Sequence, residues 1–185
     1  MPSNVILCLA KDPVNMIYAG TPEGIAVVRL MPDFQIDIKK ISARDGLINN
    51  RIEAIFFDTF KRLWIGTPVG VTKIENNKFT NLTSSSGLAH NSVRGITQGQ
   101  KGYVWFTTEG GISFTDSRTG PITFKNYTTK NGFAGNFFYT MLEDREHNYW
   151  FGTFGKGVSK LISEELVSFT ESDGLINDAI LSAAQ

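Results

Sequence analysis

Short runs of apolar and β-branched residues follow one another along the chain, and tight turns separate them. Between residues 52 and 82 the runs are "IEAIFFD", "RLWIGT", "GVTKIE" and "KFTNL". The turn "TPVG" joins the second run to the third. The pair Asn76–Asn77 joins the third to the fourth, and asparagine tolerates the left-handed backbone of a two-residue hairpin. No segment keeps a helical period over ten residues, so the pattern predicts four short strands.

The same four-strand unit occurs four times. An aromatic residue marks the second strand of each unit, at spacings of 46, 41 and 45 residues: Tyr18, Trp64, Trp105 and Trp150. A glycine in "DGLINN", "SGLAHN", "NGFAGN" or "DGLIND" marks the end of each unit: Gly46, Gly87, Gly132 and Gly174. Four strands in a period of about 40–45 residues are typical of a propeller blade. We therefore predict an all-β protein, a β-propeller of four-stranded antiparallel blades.

The repeat markers also set the expected boundaries. We predict one propeller domain over 1–185, with blades at about 4–46, 51–87, 92–132 and 137–174 and the start of a fifth blade at 178–185. An open row of four blades would leave the outer faces of blades one and four bare, and large apolar faces are rarely left in water. We expect either a piece of a larger propeller or a homo-oligomer, most simply two chains completing one ring of about eight blades.

Most of the repeated residues are expected to be structural. The aromatic residues at positions 18, 64, 105 and 150 should fill the space between blades. Gly66 and Gly152 should leave room for a side chain of the next blade. Asp12, Asp58 and Asp144 stand six residues before the aromatic, where a carboxylate can accept turn N–H groups; Gly99 breaks this rule.

The composition excludes several classes of function. Lys plus Arg equals Asp plus Glu at 18 each, so no basic excess supports binding to nucleic acid. No apolar run is long enough to insert into a membrane, and the first residues lack the basic leader of a signal peptide. The one cysteine, Cys8, lies in "VILCLA" and is expected to be a small buried residue. No cofactor, metal or catalytic motif is predicted.

At "LWIGTPVG", with the "DGL" markers, the sequence resembles the two-component regulator propeller repeat. All four units match in phase over residues 4–178, although Tyr18 replaces the tryptophan in the first unit and Thr107 replaces a glycine in the third. The resemblance implies a non-catalytic sensor module of a bacterial two-component regulator, placed outside the cytoplasmic membrane, in the periplasm. Some of these regulators respond to fragments of polysaccharides.

The topology of a blade predicts where a ligand would bind. The links between blades and the turns after each second strand should meet at one mouth of the channel, the usual ligand site of a propeller. Arginine and aromatic side chains there suit an anionic or carbohydrate ligand. The candidates are Glu23, Arg51, His90, Arg94, Glu109, Phe133, Phe137 and Lys156.

Two other functions stay open. A lyase resembling streptogramin lyase would need a polar cluster with histidine at the mouth. The chain has only His90 and His147, and the topology predicts them on opposite faces, where they could not act together. The repeats could also be purely structural and mediate dimerisation.

Overall fold

The computed structural model describes residues 2–31, 35–116, 118, 120–162 and 165–182. In these residues four consecutive strands at a time form a four-stranded sheet, and each strand pairs with its neighbour in sequence. This up-and-down order is that of a propeller blade, so the predicted fold class is confirmed. No helix in the described part of the chain is long and apolar enough to cross a membrane.

The first two blades occupy the N-terminal half of the chain. Blade one consists of β1 (Cys8–Lys11), β2 (Ile17–Thr21), β3 (Gly24–Leu30) and β4 (Ile36–Ile41). Blade two consists of β5 (Ala54–Phe57), β6 (Leu63–Thr67), β7 (Gly70–Glu75) and β8 (Lys78–Leu82).

The other two blades follow in the same order. Blade three consists of β9 (Val93–Gln98), β10 (Tyr103–Thr108), β11 (Gly111–Asp116) and β12 (Lys125–Tyr127). Blade four consists of β13 (Phe138–Glu143), β14 (Tyr149–Thr153), β15 (Val158–Ile162) and β16 (Glu165–Phe169). A single 3-10 turn follows each fourth strand: Ala43–Asp45, Ser84–Ser86, Thr129–Asn131 and Glu171–Asp173.

The chain divides into two compact units. Unit one comprises residues 1–83 and 91–96, and unit two comprises residues 84–90 and 97–185. Blades one and two lie in unit one. Blade four and most of blade three lie in unit two.

The core of unit one lies between the facing sheets of blades one and two. Side chains alternate between the two faces of a strand, so Ile25 and Val27 of β3 point to the same face. They pack in one cluster with Ile55, Leu63 and Ile65 of blade two, and all five are buried. Blade one therefore presents one face to blade two.

The core of unit two is aromatic and lies between blades three and four. Trp105 stacks on Phe114 of its own blade at 4.4 Å between ring centroids. Across the blades its ring lies 4.7 Å from that of Tyr149 and 6.0 Å from that of Phe151. Each large aromatic side chain buries about 150–250 Å² of surface, so this cluster supplies much of the unit's hydrophobic stabilisation.

The repeated aromatic residues all lie on second strands, but they are not equally buried. Trp64 and Trp105 are 0% and 3% exposed, as expected. Tyr18 is only half-buried, but it fills the space between blades as expected, because its ring packs edge-to-face on Phe57 of blade two at 4.9 Å between centroids. The expectation was wrong for Trp150, which is half-buried. Trp150 lies on the face of blade four that points away from blade three, where Phe169 stacks on its ring and the ammonium of Lys160 lies 4.6 Å from the ring centroid.

The repeated aspartates organise the first turn of a blade, as predicted. The Oδ1 atom of Asp58 accepts the backbone N–H groups of Phe60 and Arg62, both at 2.9 Å. The Oδ2 atom accepts the indole N–H of Trp64 at 2.8 Å. Asp144 repeats this bond with Trp150 at 2.8 Å. The spacing of six residues therefore joins the turn to the aromatic side chain of the next strand, a bond that the sequence pattern alone did not reveal.

The "DGL" segments form the links between blades. Their glycines have φ between 97° and 123°, a left-handed conformation that other residues rarely adopt. Four residues further on, a side-chain oxygen closes the link by accepting a backbone N–H seven residues upstream. Asn50 accepts from Ala43 at 2.8 Å, and Asn136 accepts from Thr129 at 2.7 Å. The shape that these links share is thus built by side chain to backbone bonds.

Close approach between successive blades explains the second-strand glycines. A Cβ added to Gly66 would lie 3.0 Å from Cγ1 of Val93, and one added to Gly152 would lie 2.8 Å from Cγ2 of Ile180. Ile180 belongs to the predicted start of a fifth blade, and its N–H donates to the carbonyl of Thr153 at 2.8 Å. Residues 178–182 form no strand, and 183–185 lie outside the described residues.

Candidate functional site

The links between blades and the turns after the second strands lie at the same end of a blade, as the sequence predicted. In blade four the N–H of Phe154, in the β14–β15 turn, donates to the carbonyl of Phe137, in the preceding link, at 3.0 Å. In blade three a Cβ added to Gly110 would lie 2.7 Å from Cβ of His90. In unit one the N–H of Ile52 donates to the carbonyl of Thr21 at 3.0 Å. We call this end of each blade the loop end.

In unit one the loop end carries an ion cluster. Arg51 binds Glu53 at 2.6 Å between Nε and Oε1, and Arg94 reaches the second oxygen of the same carboxylate at 3.3 Å. One carboxylate is therefore shared between two guanidinium groups. Both arginines were among the candidates chosen from the sequence, but Glu53 was not.

In unit two the loop end carries three aromatic rings. Phe137, Tyr139 and Phe154 form what we call the aromatic cluster, with ring centroids 5.4 Å apart for Phe137–Tyr139 and 5.8 Å apart for the other two pairs. The planes are inclined by 44–56° to one another. Phe154 is 58% exposed, and the other two are half-buried. Only Phe137 was among the candidates chosen from the sequence.

The other blades show that the fold does not require aromatic residues at these positions. Counting from the link glycine and the second-strand aromatic gives the equivalent residues, and none of them is aromatic. They are Arg51 and Ser92 for Phe137, Glu53 and Arg94 for Tyr139, and Pro22, Pro68 and Glu109 for Phe154. The aromatic cluster is thus specific to blade four.

Lys156 lies beside the aromatic cluster. Its stem covers Gly135, since a Cβ added to that glycine would lie 3.1 Å from Cγ of the lysine. The residue is exposed, and it pairs with no carboxylate in the described part of the chain. The same turn contains Gly155 and Gly157, with φ of 77° and 69°, and both N–H groups donate to the carbonyl of Asp178. The lysine is therefore held on a defined turn.

The remaining candidates differ in accessibility. Glu23 and His90 are exposed at the loop end, and Glu109 is half-buried there. Phe133 is 4% exposed, and its ring packs against Phe138 at 5.3 Å and Phe151 at 5.5 Å. Its place among ligand-contacting candidates was wrong, because the apolar residue after a link glycine turns inward to the core, as Leu47 and Leu88 also do.

The opposite end of blades three and four carries a polar cleft. Its volume is about 620 Å³, and Gln98, Gln100 and Glu143 contribute to its lining. Glu143 bridges the two blades, because its Oε2 accepts the N–H of Gln100 at 2.8 Å while its Oε1 lies 3.3 Å from Nδ1 of His147. His147 therefore lies at the end opposite to His90, as predicted. No group of three metal-ligating side chains occurs among the described residues.

The first turn of blade three shows what replaces the missing aspartate. Gly99 stands in its position, and the buried indole N–H of Trp105 makes no hydrogen bond of normal geometry. A Cβ at Gly99 would lie 2.7 Å from the hydroxyl of Tyr149 and 3.0 Å from Oε2 of Glu143. Burial, together with the Glu143 carboxylate, raises the pKa of the Tyr149 hydroxyl. Blade four therefore fills the space that an aspartate occupies in the other blades.

Sheets of this kind, joined by "DGL" links, define the class as a β-propeller repeat protein. Residues 46–68 and 132–155 match the model of the two component regulator propeller family. Each match runs from a link glycine through the next second strand. These two segments of the chain are thus similar to two component regulator propeller repeats.

Solved structures support the same fold. The extracellular domain of the hybrid two component system BT3049 from B. thetaiotaomicron is 21% identical, with a TM-score of 0.86 over 96% of this chain. That of BT4673 from the same organism is 24% identical, with a TM-score of 0.76 over 91%. The chain spans 24% and 25% of their respective lengths.

The fold is also similar, more distantly, to that of an enzyme. Virginiamycin B lyase from Staphylococcus aureus is 16% identical, with a TM-score of 0.63 over 91% of this chain and 57% of its own. No curated protein sequence matches this chain significantly.

Proposed function

We propose that this chain is a ligand-binding sensor module of a bacterial two-component signalling regulator, acting in the periplasm, and that it binds an oligosaccharide at the loop end of blade four. The repeats of the two component regulator propeller family support the signalling role. The similarity in fold to extracellular domains of hybrid two component systems supports a position outside the cytoplasmic membrane.

The aromatic cluster is the observation that carries the ligand proposal. Three inclined rings, one of them 58% exposed, offer an apolar surface at the end of the blade where propellers bind ligands. Exposed aromatic residues without a structural role are costly to keep in water, and the equivalent positions of the other blades avoid them.

The chemistry of the cluster fits a sugar better than a purely apolar molecule. The C–H face of a pyranose ring can stack on Phe137 or Phe154, while its hydroxyl groups remain at the rim. There the hydroxyl of Tyr139 and the ammonium of Lys156 are polar partners, and the ammonium suits a sugar that carries a carboxylate. His90 and Glu109, which also belong to unit two, are further candidate contacts for a longer ligand. Arg51 and Arg94 are separate candidate contacts at the loop end of unit one.

Binding without catalysis is the better-supported function. A lyase of the streptogramin type remains the alternative, because such enzymes share the fold. In this chain His90 lies at the loop end. His147 lies at the opposite end, where its Nδ1 atom is 3.3 Å from Oε1 of Glu143. General acid–base catalysis needs groups within hydrogen-bond reach of one substrate, which this placement does not provide.

A thermal-shift panel of neutral and acidic oligosaccharides tests the proposal. Ligand bound to the native state raises the melting temperature as the ligand concentration exceeds Kd. We expect a concentration-dependent rise with at least one sugar, lost in Phe154→Ala and retained in Phe60→Ala, which removes an exposed ring outside the cluster. A rise that Phe154→Ala leaves intact would contradict the proposed site, and turnover of the bound sugar would favour the lyase.

A further inference from the structure

Blade one carries a pocket on the face that it turns towards blade two. Its volume is about 280 Å³, and all its lining residues lie between positions 16 and 41. Alternation and register place six of them on one face of the sheet: Met16, Tyr18, Val27, Arg29, Asp37 and Lys39. Met16 directly precedes β2, whereas the loop end lies beyond Thr21, so the pocket is near the opposite end of the blade.

The repeat explains why blade one has room for a pocket here. In each blade the second-strand aromatic residue has a cross-strand partner on the third strand. Blade one pairs Tyr18 with Val27, and the other blades pair a tryptophan with a long or aromatic residue: Trp64 with Lys73, Trp105 with Phe114 and Trp150 with Lys160. Both members of the pair are smaller in blade one, so they leave open a space that the larger pairs fill.

The larger pairs show what fits over the second-strand ring. In blade three the ring of Phe114 stacks on that of Trp105, with 4.4 Å between centroids and 24° between planes. In blade four the ammonium of Lys160 lies 4.6 Å from the ring centroid of Trp150. The position over this ring therefore accommodates a planar aromatic group, and in blade one Val27 is too short to cover the ring in the same way.

The floor of the pocket is apolar and fixed in position. Val27 is 8% exposed, and Met16 and Tyr18 are half-buried. The ring of Tyr18 is held by Phe57 of blade two, at 4.9 Å between centroids and 75° between planes. A ring that is already fixed offers a stacking surface to a ligand at a low cost in entropy.

The rim of the pocket is basic. The exposed Arg29 and Lys39 lie on the same face as the floor, and Lys40 also contributes to the lining. One lining residue, Asp37, is acidic and is the cross-strand partner of Arg29. Within the described part of the chain no ion pair engages Arg29 or Lys39, so both cations are available to an anionic group.

We propose that this pocket binds a small aromatic carboxylate, whose ring stacks on Tyr18 and whose carboxylate pairs with Arg29. The ring takes the place that Phe114 fills in blade three, and a guanidinium group matches a carboxylate with two parallel hydrogen bonds. Ligand pockets usually measure about 300–1,000 Å³, so a pocket of this size suits a ligand of one or two rings. The site is independent of the loop end and of the sugar proposed there.

Titration of 4-fluorobenzoate with the full chain, followed by ¹⁹F NMR, tests the proposal. Val27→Phe fills the pocket with the ring that blade three has at this position. Arg29→Gln removes the carboxylate partner at an exposed site. Arg44→Gln, which changes an exposed arginine outside the pocket in the same unit, is the matched control. Circular dichroism establishes that each variant is folded, and 4-fluorobenzyl alcohol serves as the uncharged probe.

We expect the wild type and Arg44→Gln to bind 4-fluorobenzoate with a Kd on the order of 1 mM or below. Arg29→Gln should bind it about tenfold more weakly, as the loss of a charge-assisted hydrogen bond predicts, and Val27→Phe should show no saturable binding. A wild type that does not bind the probe would overturn the proposal. An unchanged Kd in Arg29→Gln or in folded Val27→Phe would also overturn it, as would equal affinity for the uncharged probe.

Discussion

Removing the carboxylate of Asp58 should destabilise unit one strongly. This side chain is fully buried and accepts two backbone N–H groups, the indole N–H of Trp64 and the guanidinium of Arg62, which lies at 2.6 Å. In Asp58→Ala the guanidinium, only 12% exposed, loses the carboxylate at 2.6 Å, and the buried indole loses the acceptor at 2.8 Å.

The expected loss in the free energy of unfolding follows from these contacts. Breaking a buried ion pair by removing one partner costs about 3–5 kcal/mol, and an unsatisfied buried donor costs about 1–3 kcal/mol. The terms overlap because they share one carboxylate, so we expect a loss of about 4 kcal/mol. The repeat provides a matched control in Asp12, whose carboxylate is also buried but, within the described part of the chain, accepts only the N–H groups of Val14 and Met16. Two neutral acceptor bonds predict a loss of about 1–3 kcal/mol for Asp12→Ala.

Urea unfolding of the two variants, followed by circular dichroism and tryptophan fluorescence, measures the difference. Both sites lie in unit one, so the comparison stays within one compact unit. Coincident transitions by the two probes would justify a two-state treatment. Equal losses for Asp58→Ala and Asp12→Ala would refute the reasoning, because the indole and guanidinium bonds would then contribute nothing.

Three further predictions test other features of the structure. Gly99→Asp, which restores the repeat pattern, should lower the melting temperature, because its side chain would meet the Glu143 carboxylate; a rise would contradict the account of blade three. Burial raises the pKa of the Cys8 thiol to about 12. Because the thiolate is the reactive form, iodoacetamide should label the native chain far more slowly than the urea-unfolded chain, and equal rates would contradict the raised pKa. Desolvation raises the pKa of the Asp144 carboxyl, but the hydrogen bonds from Asn148 and Trp150 outweigh it and hold the pKa below its usual value. The ionised carboxylate should therefore stabilise the fold above about pH 4, and this contribution should fade as the pH drops. Trp150→Phe should raise that pKa in an NMR titration, and an unchanged value would show that the indole bond is unimportant.

The repeat made the fold readable from the sequence. Three markers in one phase located every second strand, and the left-handed glycines and turn aspartates have the structural roles that their residue types suggested. Burial was harder to predict, because it depends on the neighbouring blade. Trp150 has the same local sequence as Trp64, yet it is half-buried because it lies on an outer face.

The candidate site was predicted only in part. Sequence topology placed Phe137, Lys156 and His90 at the loop end, but it placed Phe133 there as well, although that ring turns into the core. It missed Tyr139 and Phe154, because an aromatic residue in a strand or turn looks like core until its exposure is known. Comparing equivalent positions across the four repeats would have identified both residues as unusual.

Glycan-array binding with the wild type, Phe154→Ala and Phe60→Ala tests the central claim most directly. The account predicts that the wild type binds at least one oligosaccharide, that Phe60→Ala binds the same sugars, and that Phe154→Ala loses them while keeping its fold. Truncating an exposed ring at the centre of a binding surface typically weakens binding by about 1–2 kcal/mol or more, roughly a tenfold change in Kd. An array on which the wild type binds no sugar, or on which Phe154→Ala binds as well as the wild type, would contradict it.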